Sequence, residues 1–145
     1  MADADVNPGA PLYGEPISLD RAKAVMAAAE ADAAREGWPM VIAIVDSGGN
    51  LVMLHRMDQA QLGSVQVAQQ KAVTALQFRR PTRAFQDAIE QGGMHLRILA
   101  LSNVLPLEGG LPLMREGRII GAIGVSGMQS AQDAQVARAG LLVLV

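Results

Sequence analysis

An α+β fold, with one antiparallel sheet and helices on its faces, is what this sequence predicts, on three observations. Strand-like apolar runs are joined by short turn-rich stretches, Asp46–Asn50 and Glu116–Gly117, which is a hairpin signal. Helical stripes of apolar residues are gathered between the strands. Met40 to Val45 is apolar throughout, as expected of a strand covered on both faces.

Taken in order, residues 1–16 carry Pro8, Pro11 and Pro16 with Gly9 and Gly14, and read as an irregular leader to a single domain over 17–145. Ser18 is a suitable N-cap, and Leu19, Ala22, Met26, Ala29 and Ala33 share one stripe of the helix it starts. Gly37, Trp38 and Pro39 end that helix. The strand Met40–Val45 then turns through Asp46–Asn50 into a second strand, Leu51–Met57. Gly63-Ser64 opens the next helix, with Val65, Ala68, Ala72 and Leu76 inward. Pro81-Thr82 stops it and caps another over roughly Arg83–Gln91, closed by Gly92-Gly93.

Leu96–Leu101 reads as a strand, and Pro106 interrupts before the hairpin of Glu108–Gly127. In its returning strand, alternation places Ile119, Gly121, Ile123 and Val125 on one face. Ile120, Ala122, Gly124 and Ser126 take the other, which becomes small toward its end. Such a face suits a helix lying tight on the sheet, or a ligand close to backbone. Ser130 with Asp133 resembles a capping box for the last helix, which runs toward Leu144.

A chain of 145 residues suggests one core, burying about 70% of the unfolded surface. The net charge of -2 gives no electrostatic footprint for nucleic acid or an anionic membrane. With one Trp, one Tyr and two Phe there is no stacking platform for bases. The absence of cysteine excludes disulfides, thiolate metal sites and cysteine nucleophiles. An acidic N-terminus without a following apolar run leads us to expect a cytoplasmic protein. Half the residues are hydrophobic and only 18% are charged, so a homo-oligomer that hides apolar surface is expected.

Five stretches stand in a specific order: VDSGGNLVMLHRMD at Val45–Asp58, AQQKAVTA at Ala68–Ala75, RPT at Arg80–Thr82, EGGLPL at Glu108–Leu113, and GAIGVSG at Gly121–Gly127. Together they resemble the GlcG/HbpS family, the haem-degrading domain family that includes the C-terminal domain of PduO corrinoid adenosyltransferases. The resemblance spans about residues 17–142. It implies a profilin-like sandwich around a five-stranded antiparallel sheet, oligomeric assembly and, for some members, haem binding. It assigns no iron ligand here, and the family label by itself does not fix a function.

The candidate site residues come from the chemistry of single positions. Of the two histidines, His55 shares a strand face with Met53 and Met57, and imidazole and thioether are both axial haem ligands. The same face equally suits packing, with His55 satisfied by a hydrogen bond. His95 follows Gly92-Gly93-Met94, where a glycine loop can leave an imidazole facing a pocket or solvent. These two are the haem-iron candidates. Lys71, at the border of an apolar helix face, either snorkels or aims its amine at a carboxylate or haem propionate, and Arg56 carries the same two readings. Glu108-Gly109-Gly110 is the strongest candidate. Adjacent glycines let main-chain N–H groups converge on an anion, and Glu108 adds a carboxylate. A bulge is the structural alternative for the pair.

These residues describe an oligomeric protein binding a small anionic ligand, with haem or another tetrapyrrole first. One alternative is an enzyme acting on a small organic acid by proton transfer, of tautomerase, deaminase or hydrolase type. There Glu108 or His95 is the base and N–H groups near Gly109-Gly110 the oxyanion site. A non-catalytic accessory subunit is the other.

Overall fold

A computed structural model describes residues 11–145. The first ten residues of the expected leader therefore lie outside the described residues. Its remainder is not wholly irregular: β1, Leu12–Tyr13, joins the sheet. Then follow α1 (Leu19–Glu36), β2 (Val41–Asp46), β3 (Leu51–Arg56), α2 (Ser64–Phe78), α3 (Arg83–Gln91), a 3-10 segment (Gly93–Ala100), β4 (Gly110–Arg115), β5 (Arg118–Ser126) and α4 (Ser130–Leu141).

The sheet is built on β5, which pairs antiparallel with β4 on one edge and with β2 on the other, and β3 extends the sheet beyond β2. β1 runs parallel to β5 at Arg118 and Ile119, just past the Gly121 position where β2 stops. The sheet thus has five strands, the number expected, but β1 is one that the sequence places in the leader, and its pairing is parallel rather than antiparallel. The expected strand at Leu96–Leu101 is instead 3-10 helix in its larger part. Gly92 and Gly93, both at positive φ, turn the chain back at the end of α3, and the segment packs on that helix rather than on the sheet.

Two layers of side chains cover the sheet. Val25, Met26, Ile42, Ile44, Ile123, Val125 and Val136 form the core beneath α1 and α4. Val45, Ala72, Ala75, Leu76, Ile119 and Ala122 pack beneath α2, joined by Val41, Ala43 and Ala68. Each fully buried aliphatic side chain contributes roughly 1.5–3 kcal/mol. β2 is buried from both sides, as its uniform apolarity requires. Leu19 departs from the expected stripe: it is exposed, and Val25 takes a place in the core.

The strict alternation expected along β5 breaks once. Leu113 pairs with Gly121 but Met114 pairs with Ile119, so Ile120 is an extra residue in a bulge. Ile119 consequently joins Ala122 beneath α2, while Ile120 joins Ile123 and Val125 on the opposite face. A one-residue slip exchanges faces, and the bulge confines that exchange to the start of the strand.

Ser18 caps α1 as expected, accepting from Arg21 N–H at 3.2 Å. The cap of α4 sits one residue earlier than the sequence suggests. Gln129 is the N-cap, with its N–H donating to Gln132 Oε1 at 3.1 Å. Asp133 is released from that role and serves another.

Candidate functional site

Lys71 projects from the middle of α2 toward the sheet, and its side chain is 3% exposed. Its ammonium donates to Val125 O at 2.9 Å and to Asp133 Oδ2 at 2.8 Å. Asp133 Oδ1 in turn accepts from Met128 N–H at 3.0 Å, and that side chain is also 3% exposed. The amine does aim at a carboxylate, but one supplied by the protein's own α4. Burial pushes the Asp133 carboxyl above its ordinary value, against the pull of Lys71 and of the Met128 and Gly127 N–H groups.

This buried pair explains the glycine step. Gly109 has φ +134°, and a Cβ there would lie 2.7 Å from both Lys71 Nζ and Val125 O. Glycine is what lets the lysine pass. At Gly110 a Cβ would meet the Lys71 carbonyl oxygen and, at 2.8 Å, Thr82 Cγ2. Buried Thr82 pins the step by accepting from Gly110 N–H at 2.9 Å and donating its own N–H to Gly110 O at 3.0 Å. Glu108 N–H donates to Gln86 Oε1 at 2.9 Å. Two of the three N–H groups in the step therefore have partners within the protein. The third, on Gly109, has none among the described residues.

Glu108, Gly109 and Gly110 line a cleft of about 140 Å³, together with Pro81, Arg83, Leu111, Ala134 and Arg138. The Glu108 carboxylate is nearly buried, with Arg83 Nη1 at 3.7 Å from its Oε2. Arg83 also reaches Asp87 Oδ2, at 3.6 Å through Nε. Both arginines are exposed, one on the first residue of α3 and one in the last turn of α4. The cleft thus gathers one carboxylate and two guanidinium groups, with Gly109 in its wall, a set whose guanidinium groups can hold a small anion.

Of the candidates singled out in the sequence, Glu108, Gly109 and Gly110 line this cleft, and Lys71 lies directly behind its glycines. His95, Arg56 and His55 are not among its lining residues. His95 is exposed on the 3-10 segment, and Arg56 is exposed at the end of β3. His55 Nδ1 meets Glu30 Oε1 of α1 at 3.1 Å, on the same side of the sheet as Met53. Arg83 and Arg138 were not singled out. Fifty-five positions separate them, and nothing local at either signals that they face one cleft.

A larger cleft of about 580 Å³ lies between α2 and residues 102–105, lined by Gln66, Gln69, Gln70, Val73, Ser102, Asn103, Val104 and Leu105. None of these is charged or a customary iron ligand, so it lacks what an anionic, metal-bearing ligand needs. Among the described residues no three His, Asp or Glu side chains gather as a metal site, and no helix is long and apolar enough to cross a membrane.

A mixed five-stranded sheet with helices on both faces and a glycine step against a buried lysine defines an α+β sandwich of the profilin-like kind. The chain belongs to the HbpS-like haem-degrading family, whose model matches residues 17–142. It is 39% identical over 128 residues to an uncharacterised 15.0 kDa protein of the dhaT–dhaS intergenic region of Citrobacter freundii, covering 86% of this chain and 89% of that one. It is 39% identical over 110 residues to GlcG of Escherichia coli K12, covering 76% and 81%. The solved PduOC–haem complex superposes with a TM-score of 0.80 at 29% identity, covering 88% of this chain and 94% of that one.

Proposed function

We propose that this chain is a haem- or tetrapyrrole-binding protein that works as an oligomer. The observation that carries the reading is the placement of His95. It stands in an exposed apolar segment with Met94, Leu96 and Leu99, the first and last of which are 68% and 63% exposed. That segment packs on α3, and α3 begins with Arg83 of the cleft. An imidazole among uncovered apolar side chains, next to the helix that supplies a cation, is the chemistry a haem requires. The imidazole suits iron, the apolar surface suits the ring, and the guanidinium groups suit a propionate. The haem complex of PduOC supports this reading by family likeness.

Size separates those roles. A cleft of about 140 Å³ has room for a propionate arm and not for the macrocycle. When bound, haem would supply an iron centre and its redox chemistry. Arg83 and Arg138 would hold the carboxylate, His95 the iron. The Glu30 contact of His55 Nδ1 leaves its Nε2 free, but His55 lies on β3, at the opposite edge of the sheet from the β4 residues that line the cleft, which makes it the more remote ligand candidate.

Titrating haemin into the protein should produce a sharp Soret band. His95→Ala should abolish the sharp band, and His55→Ala should leave it. A parent protein without spectral change, or a band indifferent to His95, would remove haem ligation through His95.

The exposed Met94, Leu96, Leu99 and Leu101 also motivate the oligomer. Light scattering at micromolar concentration should give a mass at a multiple of 15.2 kDa. A clean monomer mass would end that part of the proposal.

A further inference from the structure

The charge and acceptor pattern of the Glu108 cleft says more than that it takes a carboxylate. Arg83 is shared between Glu108 and Asp87, whereas the Arg138 guanidinium has no carboxylate partner among the described residues, so one cation of the lining is left for a monoanion. The Glu108 carboxylate can only accept, and its one charged neighbour, Arg83 at 3.7 Å, is beyond a good hydrogen bond. A plain carboxylate satisfies the arginines but brings nothing for Glu108. A hydroxyl or protonated amine on the carbon next to the ligand's carboxyl group can point back at it.

We propose that the cleft selects small monocarboxylates bearing a proton donor on the carbon next to the carboxyl group, and that such an acid competes with haem for the site. The competition rests on the preceding reading that a haem propionate enters this cleft. The selectivity does not. Arg83 and Arg138 supply affinity, and Glu108 supplies the preference. The acid then acts as an effector: by occupying the arginines it lowers the apparent haem affinity, an effect that linkage makes reciprocal.

Calorimetric titration of the whole chain with lactate and with propionate, which differ in that hydroxyl, tests the selectivity. Lactate should bind about tenfold more tightly, the ratio expected of a hydrogen bond to a charged group. Glu108→Ala should bring the two acids to equal affinity, and Arg138→Ala should weaken both by a common factor. Circular dichroism of each variant establishes that it is folded. Arg138 is exposed, so its variant serves if Glu108→Ala is not folded.

Equal affinity of the parent for the two acids, no binding of either, or a preference that survives Glu108→Ala overturns the proposed selectivity. So does an Arg138→Ala variant that binds both as the parent does. Repeating the haemin titration with saturating lactate tests the competition. An unchanged apparent haemin affinity, alongside the expected lactate preference, would take the propionate out of the cleft and leave the selectivity intact.

Discussion

Lys71→Met is expected to destabilise the protein by about 3–5 kcal/mol, because it strands a buried carboxylate. Removing one member of a buried ion pair leaves the other uncompensated, and that penalty exceeds the net worth of the pair. Here the stranded group is Asp133, 3% exposed, which would retain only N–H donors such as that of Met128. Asp133 already titrates above its ordinary value, and without the lysine its folded-state value rises further. A carboxyl raised in the folded state contributes stability below its unfolded value and loses it as pH rises through the folded value. The deficit of Lys71→Met should therefore be smallest in acid and grow toward neutral pH. Denaturant unfolding of parent and variant across that range measures it, and the double variant Lys71→Met, Asp133→Leu should recover most of the loss. A pH-independent deficit, or no deficit at neutral pH, would mean that Asp133 is not held as a buried charge.

That pair also marks the limit of what the sequence discloses. Periodicity placed α1, α2, β2 and the β4–β5 hairpin because each is a local pattern with one apolar face or two. The role of Asp133 is not local. Its position three residues after Ser130 mimics a capping box, while its partner lies 62 residues away on another helix. Glutamine at 129 and 132 provided the cap instead, leaving the carboxylate for Lys71. The segment around Leu96–Leu101 failed differently: a short apolar run has the same composition as strand or helix, and the left-handed glycines before it decided the matter. At the site, the glycine pair reads in the sequence as N–H donors converging on an anion, but Gln86 and Thr82 take the N–H groups of Glu108 and Gly110, and the glycines serve close approach instead. What approaches is a lysine and a threonine, so the pair builds the cleft's back wall. The arginines facing it come from the start of α3 and the end of α4, and only the folded chain brings them together.

Gly124→Val is expected to cost at least about 3 kcal/mol, at or beyond the upper end of the usual range for overpacking. The small face of β5 lies against α2 with backbone on both sides. A Cβ at 124 would stand 2.5 Å from Ala72 N and closer still to the Ala68 carbonyl oxygen. Flexible side chains can move aside, but those are main-chain atoms of a helix that packs along β2, β4 and β5. Even Gly124→Ala should shift the denaturant midpoint, because the whole helix must rise to admit one methyl group. Rising has a second consequence. Ala68, Lys71 and Ala72 belong to one turn of α2, so lifting that turn draws the ammonium away from Val125 O and Asp133. The Glu108–Gly110 step, which rests on Lys71 and Thr82, then loses its support. Variants at 124 that still fold should consequently bind haemin and small carboxylates more weakly, although residue 124 does not line the cleft. An unchanged midpoint for Gly124→Val would show that α2 does not close on this face, and both consequences would go with it.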